Sequence, residues 1–445
     1  MAGGVTDPLK AVIIAVGSEM LTPTRTDTNS LFATEVLNGL GIEVAYKAIV
    51  GDDREELAAA VSLALERHRA VILTGGLGPT DDDLTRDVVA SHLGLALDED
   101  PAIVESIRAR FAARGLAMPE VNRRQAMVPR GARVLENPRG SAPGLLIEAG
   151  ERIVVLLPGP PREMRPMMSG AVRDRLARLA GERRLLRRSL RVTGRSESRV
   201  EERVQALYRE WLRAEPRIET TILASPGFVE LHLSTQVSDE PAGTRALDAA
   251  VEALTDRLGP DVVSTDGAPL EQVLGTMLRA RSWRIALAES CTGGMATSRL
   301  TDVAGSSDYV DRSWVVYSND AKREMLGVPE ALLAEHGAVS EPVVRWLAEG
   351  ALTRADAHVA VGITGIAGPG GGSEEKPVGM VWMAVAFADP RETRTALCRF
   401  LGGREMVKTF AAVTALDLVR RRLIDAPWDI DWIWRRTAAS GSPHS

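Results

Sequence analysis

Ser290 and Cys291 are two adjacent nucleophiles at the point where an apolar segment meets a pair of glycines. The run Arg284–Ala288 predicts a buried strand, and a helix is expected to begin near Met295. Backbone N–H groups at such a strand-to-helix turn can bind an anion or a developing oxyanion. The backbone groups expected to face a substrate are those of Thr292, Gly293 and Gly294.

A general base for Ser290 is offered by the segment Tyr317-Ser318-Asn319-Asp320-Ala321-Lys322. This segment follows a predicted strand over Trp314–Val316, so its first and last residues are expected near the same crevice. A lysine whose pKa is lowered by burial can accept the proton of a serine hydroxyl. The spacing makes Ser290, Tyr317 and Lys322 the candidate catalytic residues; the alternative for Lys322 is a solvated residue at the start of a helix.

Cys291 is the chemical rival of Ser290, because a thiol is intrinsically the stronger nucleophile. No histidine lies near Cys291 in the sequence, and a thiol beside a strand end is often simply buried. Both nucleophiles therefore remain open at this point.

A glycine-rich run from Gly362 to Ser373 follows a predicted strand over His358–Val361. Its glycines allow close backbone approach to a phosphate, with Gly365 and Gly368 as the candidate substrate-binding positions. By composition a mobile surface loop is equally expected. The run is not a Walker motif, because no Lys-Ser or Lys-Thr pair closes it.

A second glycine-rich turn, from Gly75 to Asp83, combines backbone N–H groups with three successive carboxylates. Such a turn suits phosphate, and the acids at its end suit a divalent cation that bridges to the phosphate. The candidate phosphate-binding residues are Gly75, Gly76, Gly78 and Thr80. The candidate metal ligands are Asp27, Asp82 and Asp83, with Asn29 and Asp52 from other strand ends as further candidates. The alternative is a helix N-cap and dipole cluster, which needs one or two carboxylates.

The elements that position these residues alternate between short apolar strands and helical stretches, a pattern typical of parallel strands joined by crossover helices. We therefore predict an α/β protein whose first domain is a doubly wound sheet, with ligands at the carboxyl ends of its strands. The predicted parts are a domain at 1–170, a small α+β, KH-like module at 171–262, an α/β domain at 263–435 and a disordered tail at 436–445. Residues 260–269, rich in Pro, Gly, Asp and Ser, predict a linker.

The middle module is rich in arginine, beginning with Arg183 and Arg184. Such a face could meet RNA or an acidic partner. We favour the alternative of a solvated helical face whose arginines pair with Glu201, Glu202 and Glu210. Aromatic residues that could stack on bases do not interleave with these arginines, and we expect no nucleic-acid partner.

The composition of the 445 residues, with 45% hydrophobic and 26% charged residues and a net charge of −6, is that of a globular protein of roughly three domains. A generic nucleic-acid-coating protein is excluded. The two cysteines, Cys291 and Cys398, lack the spacing of a zinc site or a disulfide framework and indicate a reducing compartment. With no secretory signal and no apolar run of roughly 18 residues, we predict a cytoplasmic protein without a membrane partner.

Five ordered motifs in the last domain resemble the C-terminal domain of the CinA family, which is similar to stand-alone nicotinamide mononucleotide deamidases. The motifs occupy residues 288–294, 317–322, 337–340, 365–369 and 373–379. The resemblance implies hydrolysis of nicotinamide mononucleotide to nicotinate mononucleotide and ammonia, with no cofactor. Arg404 matches a family arginine and is expected at the nucleotide phosphate, while Asp320 stands where the family more often has Glu.

The first domain resembles the N-terminal domain of the same family, a relative of molybdopterin-binding domains. The likeness rests on residues 17–21, 28–30, 75–87 and 157–164. It implies an ADP-ribose pyrophosphatase that depends on a divalent metal, Co²⁺ or Mg²⁺, and the family resemblance also implies a homodimer. The sequence departs from the family at Pro23 and Thr24, where a glycine-containing turn is usual.

Three functions follow as hypotheses. The first is a bifunctional pyridine-nucleotide recycling enzyme that joins an amidohydrolase to a metal-dependent pyrophosphatase. In the second, the N-terminal half only binds a nucleotide and organises a homodimer. The third is a molybdopterin-biosynthesis protein, which the attached domain with Ser290 and Lys322 disfavours.

Overall fold

The computed structural model describes residues 9–181 and 183–434. The predicted disordered tail at 436–445 lies outside the described residues. The chain divides into two compact units, Met1–Leu186 with Thr235–Thr244 and Arg187–Ser234 with Arg245–Ser445. In the described part of the chain, no helix combines the length and the hydropathy needed to cross a membrane.

The first unit contains a six-stranded mixed sheet with helices on both faces and a separate sheet of two short strands. Its strands are β1 (Lys10–Val16), β2 (Glu43–Val50), β3 (Ala70–Thr74), β4 (Leu97–Glu99), β5 (Met127–Pro129), β6 (Arg133–Leu135), β7 (Gly144–Ala149) and β8 (Arg152–Leu157). Its helices are α1 (Thr28–Gly39), α2 (Arg54–Arg67), α3 (Thr85–His92), α4 (Pro101–Ala112), α5 (Pro161–Met167) and α6 (Arg173–Ala180). Six strands pair in the order β2-β1-β3-β8-β7-β6, of which the first four are parallel. The predicted doubly wound α/β fold is confirmed.

Strand β1 shows why this part of the sequence is apolar without interruption. Ile13 belongs to the same core cluster as Leu37 of α1, whereas Ile14 belongs to the cluster that contains Leu57 and Val61 of α2. Successive side chains of a strand point to opposite faces, and both faces are covered by helices here. A continuous buried run is therefore required, and its end at Val16 delivers the chain to the functional edge of the sheet.

The middle module consists of a four-stranded sheet and two helices. Its elements are β9 (Arg184–Thr193), α7 (Glu197–Trp211), β10 (Glu219–Ser225), β11 (Phe228–Val237), α8 (Glu240–Leu258) and β12 (Val262–Ser264), with strand order β10-β11-β9-β12. The predicted linker over 260–269 is wrong in its first half, since Val262 pairs with Val192 of β9. Proline and glycine mark tight turns around a short strand here, not a solvated spacer.

Arginines of this module form ion pairs, but with other partners than the sequence suggested. Arg188 pairs with Asp248 at 2.8 Å, and Arg191 pairs with Glu230 at 3.1 Å. Glu201 instead accepts hydrogen bonds from side chains of its own helix. The predicted pairing along the helix therefore does not describe Arg188 or Arg191, whose partners lie on other elements.

The rest of the second unit is a five-stranded α/β layer. Its strands are β13 (Ile285–Glu289), β14 (Val310–Val315), β15 (Val359–Gly365), β16 (Met380–Phe387) and β17 (Glu392–Arg399). Its helices are α9 (Leu270–Ala280), α10 (Met295–Thr301), α11 (Asn319–Leu326), α12 (Glu330–His336), α13 (Glu341–Arg354) and α14 (Arg404–Leu423). In the order β14-β13-β15-β16-β17, β13 is parallel to both of its neighbours. The loops that follow β13, β14 and β15 therefore meet at one edge.

Two buried carboxylates join α14 to the middle module inside the second unit. Asp261, 1% exposed, accepts hydrogen bonds from Arg195 at 2.7 Å and from Arg421 at 2.8 Å. Asp417 accepts from Arg420 and Arg421 at 2.7 Å each. Burial raises the pKa of Asp261, but the hydrogen bonds and charges of the arginines outweigh this effect and hold its pKa below the ordinary value.

Candidate active site

Ser290 and Lys322 are brought together by the loops that follow β13 and β14. The Ser290 N–H donates to the Ile363 carbonyl of β15 at 3.0 Å, which fixes the start of the loop. Helix α11 begins after Ser318, whose Oγ accepts from the Ala321 N–H at 3.0 Å, and Lys322 lies at the end of its first turn. Lys322 Nζ lies 3.1 Å from Ser290 Oγ. The two elements thus build a nucleophile and base pair.

Lys322 is a buried lysine, 1% exposed, and not the solvated residue of the alternative reading. Its Nζ donates to the Val316 carbonyl at 2.8 Å and approaches the Tyr317 carbonyl at 3.4 Å. Burial lowers the pKa of Lys322, because desolvation disfavours the ammonium form. In the neutral amine, two N–H bonds serve the carbonyls and the lone pair is left for Ser290.

Cys291 is in the opposite electrostatic situation. Its side chain is 5% exposed, and burial raises the pKa of the thiol to about 12. Since the thiolate is the reactive form, Cys291 stays a weak nucleophile near neutral pH. The geometry and the electrostatics together favour Ser290.

Glu289, which the sequence reasoning missed, organises the loop that carries the nucleophile. Its fully buried carboxylate accepts from the N–H groups of Gly294 at 3.0 Å, Ala296 at 3.1 Å and Thr297 at 2.8 Å. The Thr297 hydroxyl donates to it as well, at 2.6 Å. The available signal was a carboxylate at the last position of a buried strand, with a helix beginning after a short loop at Met295.

Some backbone N–H groups of the loop after β13 already donate hydrogen bonds within the protein, and others are free to bind a substrate. The Gly293 N–H donates to the Ser290 carbonyl at 3.1 Å, and the Gly294 N–H donates to Glu289. The N–H groups of Cys291 and Thr292 bond no other residue in the described part of the chain, and the buried Thr292 hydroxyl has no partner there either. Of the three expected donors, only Thr292 therefore keeps a free N–H, and Cys291 supplies another.

Arg404, the first residue of α14, ties the helix to two of the site loops. Its Nη1 donates to the Gly368 carbonyl at 2.9 Å, and its Nη2 donates to the Tyr317 hydroxyl at 2.7 Å. Tyr317 is 58% exposed, and its contact with Lys322 is made by the backbone carbonyl. Assistance of Lys322 by the Tyr317 hydroxyl stays a prediction.

Gly365 is the last residue of β15 and pairs with Val381 of β16. A Cβ at this position would lie 2.7 Å from the Met380 carbonyl oxygen, so the close approach of two strands requires glycine. The neighbouring Gly368 carbonyl accepts from Arg404. In this structure both glycines shape the loop; a direct contact of either with substrate stays a prediction.

A cavity of about 480 Å³ opens in the first unit where β1, β3 and β8 end. Gly75, Gly76 and Gly78 line it, whereas Thr80 does not; phosphate binding by this turn stays a prediction. Gly75 has φ +105°, and a Cβ there would collide with the Val16 carbonyl. Only glycine lets this turn approach β1 so closely.

Side chains of both charges face this cavity. The sequence reasoning missed its arginines, which are Arg110, Arg114, Arg139 and Arg162. Its carboxylates are Glu19, Asp52, Asp82, Asp83 and Glu163. Arg110 lies in the last turn of α4 and Arg114 just after its end, in a stretch to which the sequence reasoning assigned no function.

The predicted aspartates have other tasks in the first unit. Asp83 accepts from the Gly78 N–H at 2.7 Å and from the N–H and hydroxyl of Thr80 at 2.9 and 2.6 Å, so it braces the glycine turn. Asp27 caps α1 by accepting from the Ser30 N–H at 2.9 Å. Asp27 therefore acts as a helix cap, whereas Asp83 holds the glycine turn and does not cap α3, whose N-cap residue is Leu84.

The remaining candidates are also engaged in part. The Asn29 amide donates to the Gly159 carbonyl at 2.6 Å, and Asp52 accepts from a serine N–H at 2.8 Å. Residues 9–181 and 183–434 contain no group of three or more His, Cys, Asp or Glu side chains arranged to hold a metal. Asp27 and Asp83 already accept hydrogen bonds from N–H groups, so metal binding by the proposed ligand set stays a prediction and we assign no step to a metal.

The sequence places both sites in one family. The description "CinA C-terminal domain" matches residues 267–423, and "Probable molybdopterin binding domain" matches residues 12–178. A CinA-like protein of Koribacter versatilis is 45% identical over 422 residues, which are 93% of this chain and 100% of that protein. The chain belongs to the CinA family.

A second relative and one solved structure are also similar to this chain. A CinA-like protein of Acidobacterium capsulatum is 44% identical over 418 residues, 93% of this chain and 100% of that protein. The crystal structure of the competence/damage inducible protein CihA from Agrobacterium tumefaciens is 42% identical and covers 35% of this chain and 93% of its own, with a TM-score of 0.34. In this CinA family member, the pair Ser290 and Lys322 lies in the first matched range and the cavity in the second.

Proposed function

We propose that the second unit is a nicotinamide mononucleotide amidohydrolase, which releases ammonia and leaves nicotinate mononucleotide. The observation that carries the proposal is the distance of 3.1 Å between Ser290 Oγ and a desolvated Lys322 amine. A serine and lysine pair of this kind is suited to acyl transfer from an amide. Membership of the CinA family agrees with this assignment.

In the first half-reaction, Ser290 Oγ attacks the carboxamide carbon while its proton passes to Lys322. The tetrahedral oxyanion accepts from the free N–H groups of Cys291 and Thr292. Lys322 then returns the proton to the amide nitrogen, the C–N bond breaks, and ammonia leaves. The product of this step is an ester between nicotinate and Ser290.

In the second half-reaction, water attacks the ester carbon and gives its proton to Lys322. The C–O bond to the serine breaks, and the proton returns to Ser290 Oγ. The carbonyls of Val316 and Tyr317 keep the amine in place through both halves. Atoms and charges balance without a cofactor.

The test is product analysis of the purified protein incubated with nicotinamide mononucleotide. Ammonia and nicotinate mononucleotide in equal amounts are the expected products. Cleavage of the glycosidic bond to free nicotinamide, or no turnover at all, would overturn the proposal. Nicotinamide mononucleotide incubated with heat-denatured protein is the control for spontaneous decay.

For the first unit we propose a binding site for a diphosphate nucleotide of the ADP-ribose type. The supporting observation is the cavity of about 480 Å³, in which a glycine turn and four arginines face the same space. Backbone N–H groups and guanidinium groups are the usual partners of phosphate. Hydrolysis to AMP is the further activity implied by the family resemblance.

Two measurements test this second proposal. Calorimetric titration with ADP-ribose is expected to show one site in the first unit, weakened in Arg114→Ala. AMP formation with Co²⁺, with Mg²⁺ and without metal tests hydrolysis. Binding without AMP restricts the unit to nucleotide binding, and absence of binding contradicts the site.

A further inference from the structure

Helix α14 carries a second cation one turn after Arg404. Residues four apart lie on the same face of a helix, so Lys408 follows Arg404 along the side that meets the nucleophile loop. Lys408 Nζ lies 3.8 Å from the position that a Cβ at Gly293 would occupy. The ammonium group is therefore next to the loop that begins with Ser290.

The two cations differ in how far they are already engaged. Arg404 uses both terminal nitrogens on Gly368 and Tyr317. Lys408 forms no hydrogen bond or ion pair with any residue in the described part of the chain, and its three N–H donors are available. Arg404 is suited to hold loops together, and Lys408 is suited to hold a ligand.

Gly293 keeps the space in front of Lys408 open. Its φ of +63° lies in the left-handed region, and the absence of a side chain leaves the backbone exposed toward the ammonium group. The unpartnered, fully buried Thr292 hydroxyl belongs to the same stretch of loop. The ammonium group and the exposed glycine in front of it leave room for an anionic group beside the nucleophile.

We propose that Lys408 is the residue that recognises the phosphate of the mononucleotide substrate, with Arg404 as a positioning residue. The inference rests on the proposed amidohydrolase function and names the determinant that separates a nucleotide from a nucleoside. A phosphate monoester carries a charge of about −1.5 to −2 at pH 7. Lysine binds such a group as a point charge and needs no fixed fork geometry.

The test compares nicotinamide mononucleotide with nicotinamide riboside, which has the same reacting carboxamide and no phosphate. Lys408→Ala is expected to raise the KM for the mononucleotide by about 10- to 100-fold, with kcat changed less than about threefold. Its kcat/KM for the riboside is expected to stay at the wild-type value. Lys408→Arg restores most of the lost affinity, because the positive charge returns.

Lys47→Ala is the matched control, since it removes an exposed lysine from the first unit. Circular dichroism and thermal denaturation verify that each variant is folded. An equal loss for both substrates would assign Lys408 to the carboxamide end and overturn the proposal. An unchanged KM for the mononucleotide would overturn it as well.

Failure of this inference and failure of the proposed reaction give different results. Titration of Ser290→Ala with inorganic phosphate measures the anion site without turnover, and Lys408→Ala in that background is expected to weaken binding by about tenfold. Phosphate binding that depends on Lys408 without ammonia release would refute the amidohydrolase alone. Ammonia release with phosphate binding independent of Lys408 would refute the role of Lys408 alone.

Discussion

Lys322 Nζ lies 3.1 Å from Ser290 Oγ, and the carbonyl of Val316 holds the amine from the other side at 2.8 Å. The lysine comes from the first turn of α11 and the serine from the end of β13, on neighbouring parallel strands. Burial keeps the amine uncharged more readily than in water.

Separate replacement of Ser290 and Cys291 by alanine distinguishes the roles of the two adjacent nucleophiles. Ser290→Ala is expected to lower kcat for ammonia release by at least about 10³-fold, because no oxygen is left to form the ester. Cys291→Ala is expected to keep kcat within about threefold of wild type, since a thiol with a pKa of about 12 is protonated. An inactive Cys291→Ala beside an active Ser290→Ala would exchange the assignment.

The pH dependence of kcat/KM measures the pKa of the general base, Lys322. The free amine of Lys322 is the active form, so the rate rises with pH through its pKa. Burial lowers this pKa, and the rise is therefore centred below the ordinary lysine value of about 10.4. A profile that keeps rising toward pH 12 would instead follow the Cys291 thiol, whose pKa is about 12.

Lys322→Met is expected to inactivate the enzyme and stabilise the fold. The pKa of Lys322 is lower in the folded chain than in the unfolded chain. Between these two pKa values the unfolded state therefore binds more protons, so the free energy of unfolding decreases as the pH falls through this range. At neutral pH the buried amine thus destabilises the native state. Removal of the amine relieves this penalty, by about 0.5–2 kcal/mol at neutral pH. Urea denaturation measures the gain, which shrinks as the pH rises toward the ordinary lysine pKa. A variant less stable than wild type at pH 7 would contradict the argument.

Glu289→Ala is expected to destabilise the second unit by more than about 2 kcal/mol. Its buried carboxylate is the acceptor for three N–H groups and one hydroxyl, which alanine would leave without partners. Glu289→Gln keeps one acceptor oxygen and is expected to lose less. The free energy of unfolding from urea titration, compared with the exposed Glu405→Ala, decides the order.

Arg421→Met tests the buried ion network. Its loss leaves Asp261 and Asp417 each with one fewer cation, and a cost of about 3–5 kcal/mol is expected for a broken buried pair. Arg188→Met, which breaks an exposed pair with Asp248, is expected to cost less than about 1 kcal/mol. Equal effects of the two changes on the thermal midpoint would refute the structural role of the network.

The sequence was informative where pattern alone decides the structure. The buried strand over 284–288, the helix at Met295 and the helix from Glu197 to Trp211 follow from periodicity and turn residues, and the structure places them there. Parallel neighbours then put loop ends together, so the proximity of Ser290 and Lys322 needed no knowledge of side-chain direction. Fold class and strand-end loops are accessible for this reason.

The sequence patterns could not predict which side chains bond to backbone groups. Asp27 and Asp83 carry the charge that a cation would need, but helix capping and a bracing role in the glycine turn engage both. The pairing of Arg404 with Tyr317 spans 87 positions of sequence and depends on rotamers. The strand at Val262 was hidden by proline and glycine beside it, since composition does not report pairing with β9.

Helix α14 connects the candidate active site to the buried ion network around Asp261. Its 20 residues span about 30 Å, with Arg404 and Lys408 near one end and Arg421, which bonds Asp261, near the other. Because a continuous helix of this length is stiff, a displacement of the middle module would also move the end of α14 that carries Arg404 and Lys408.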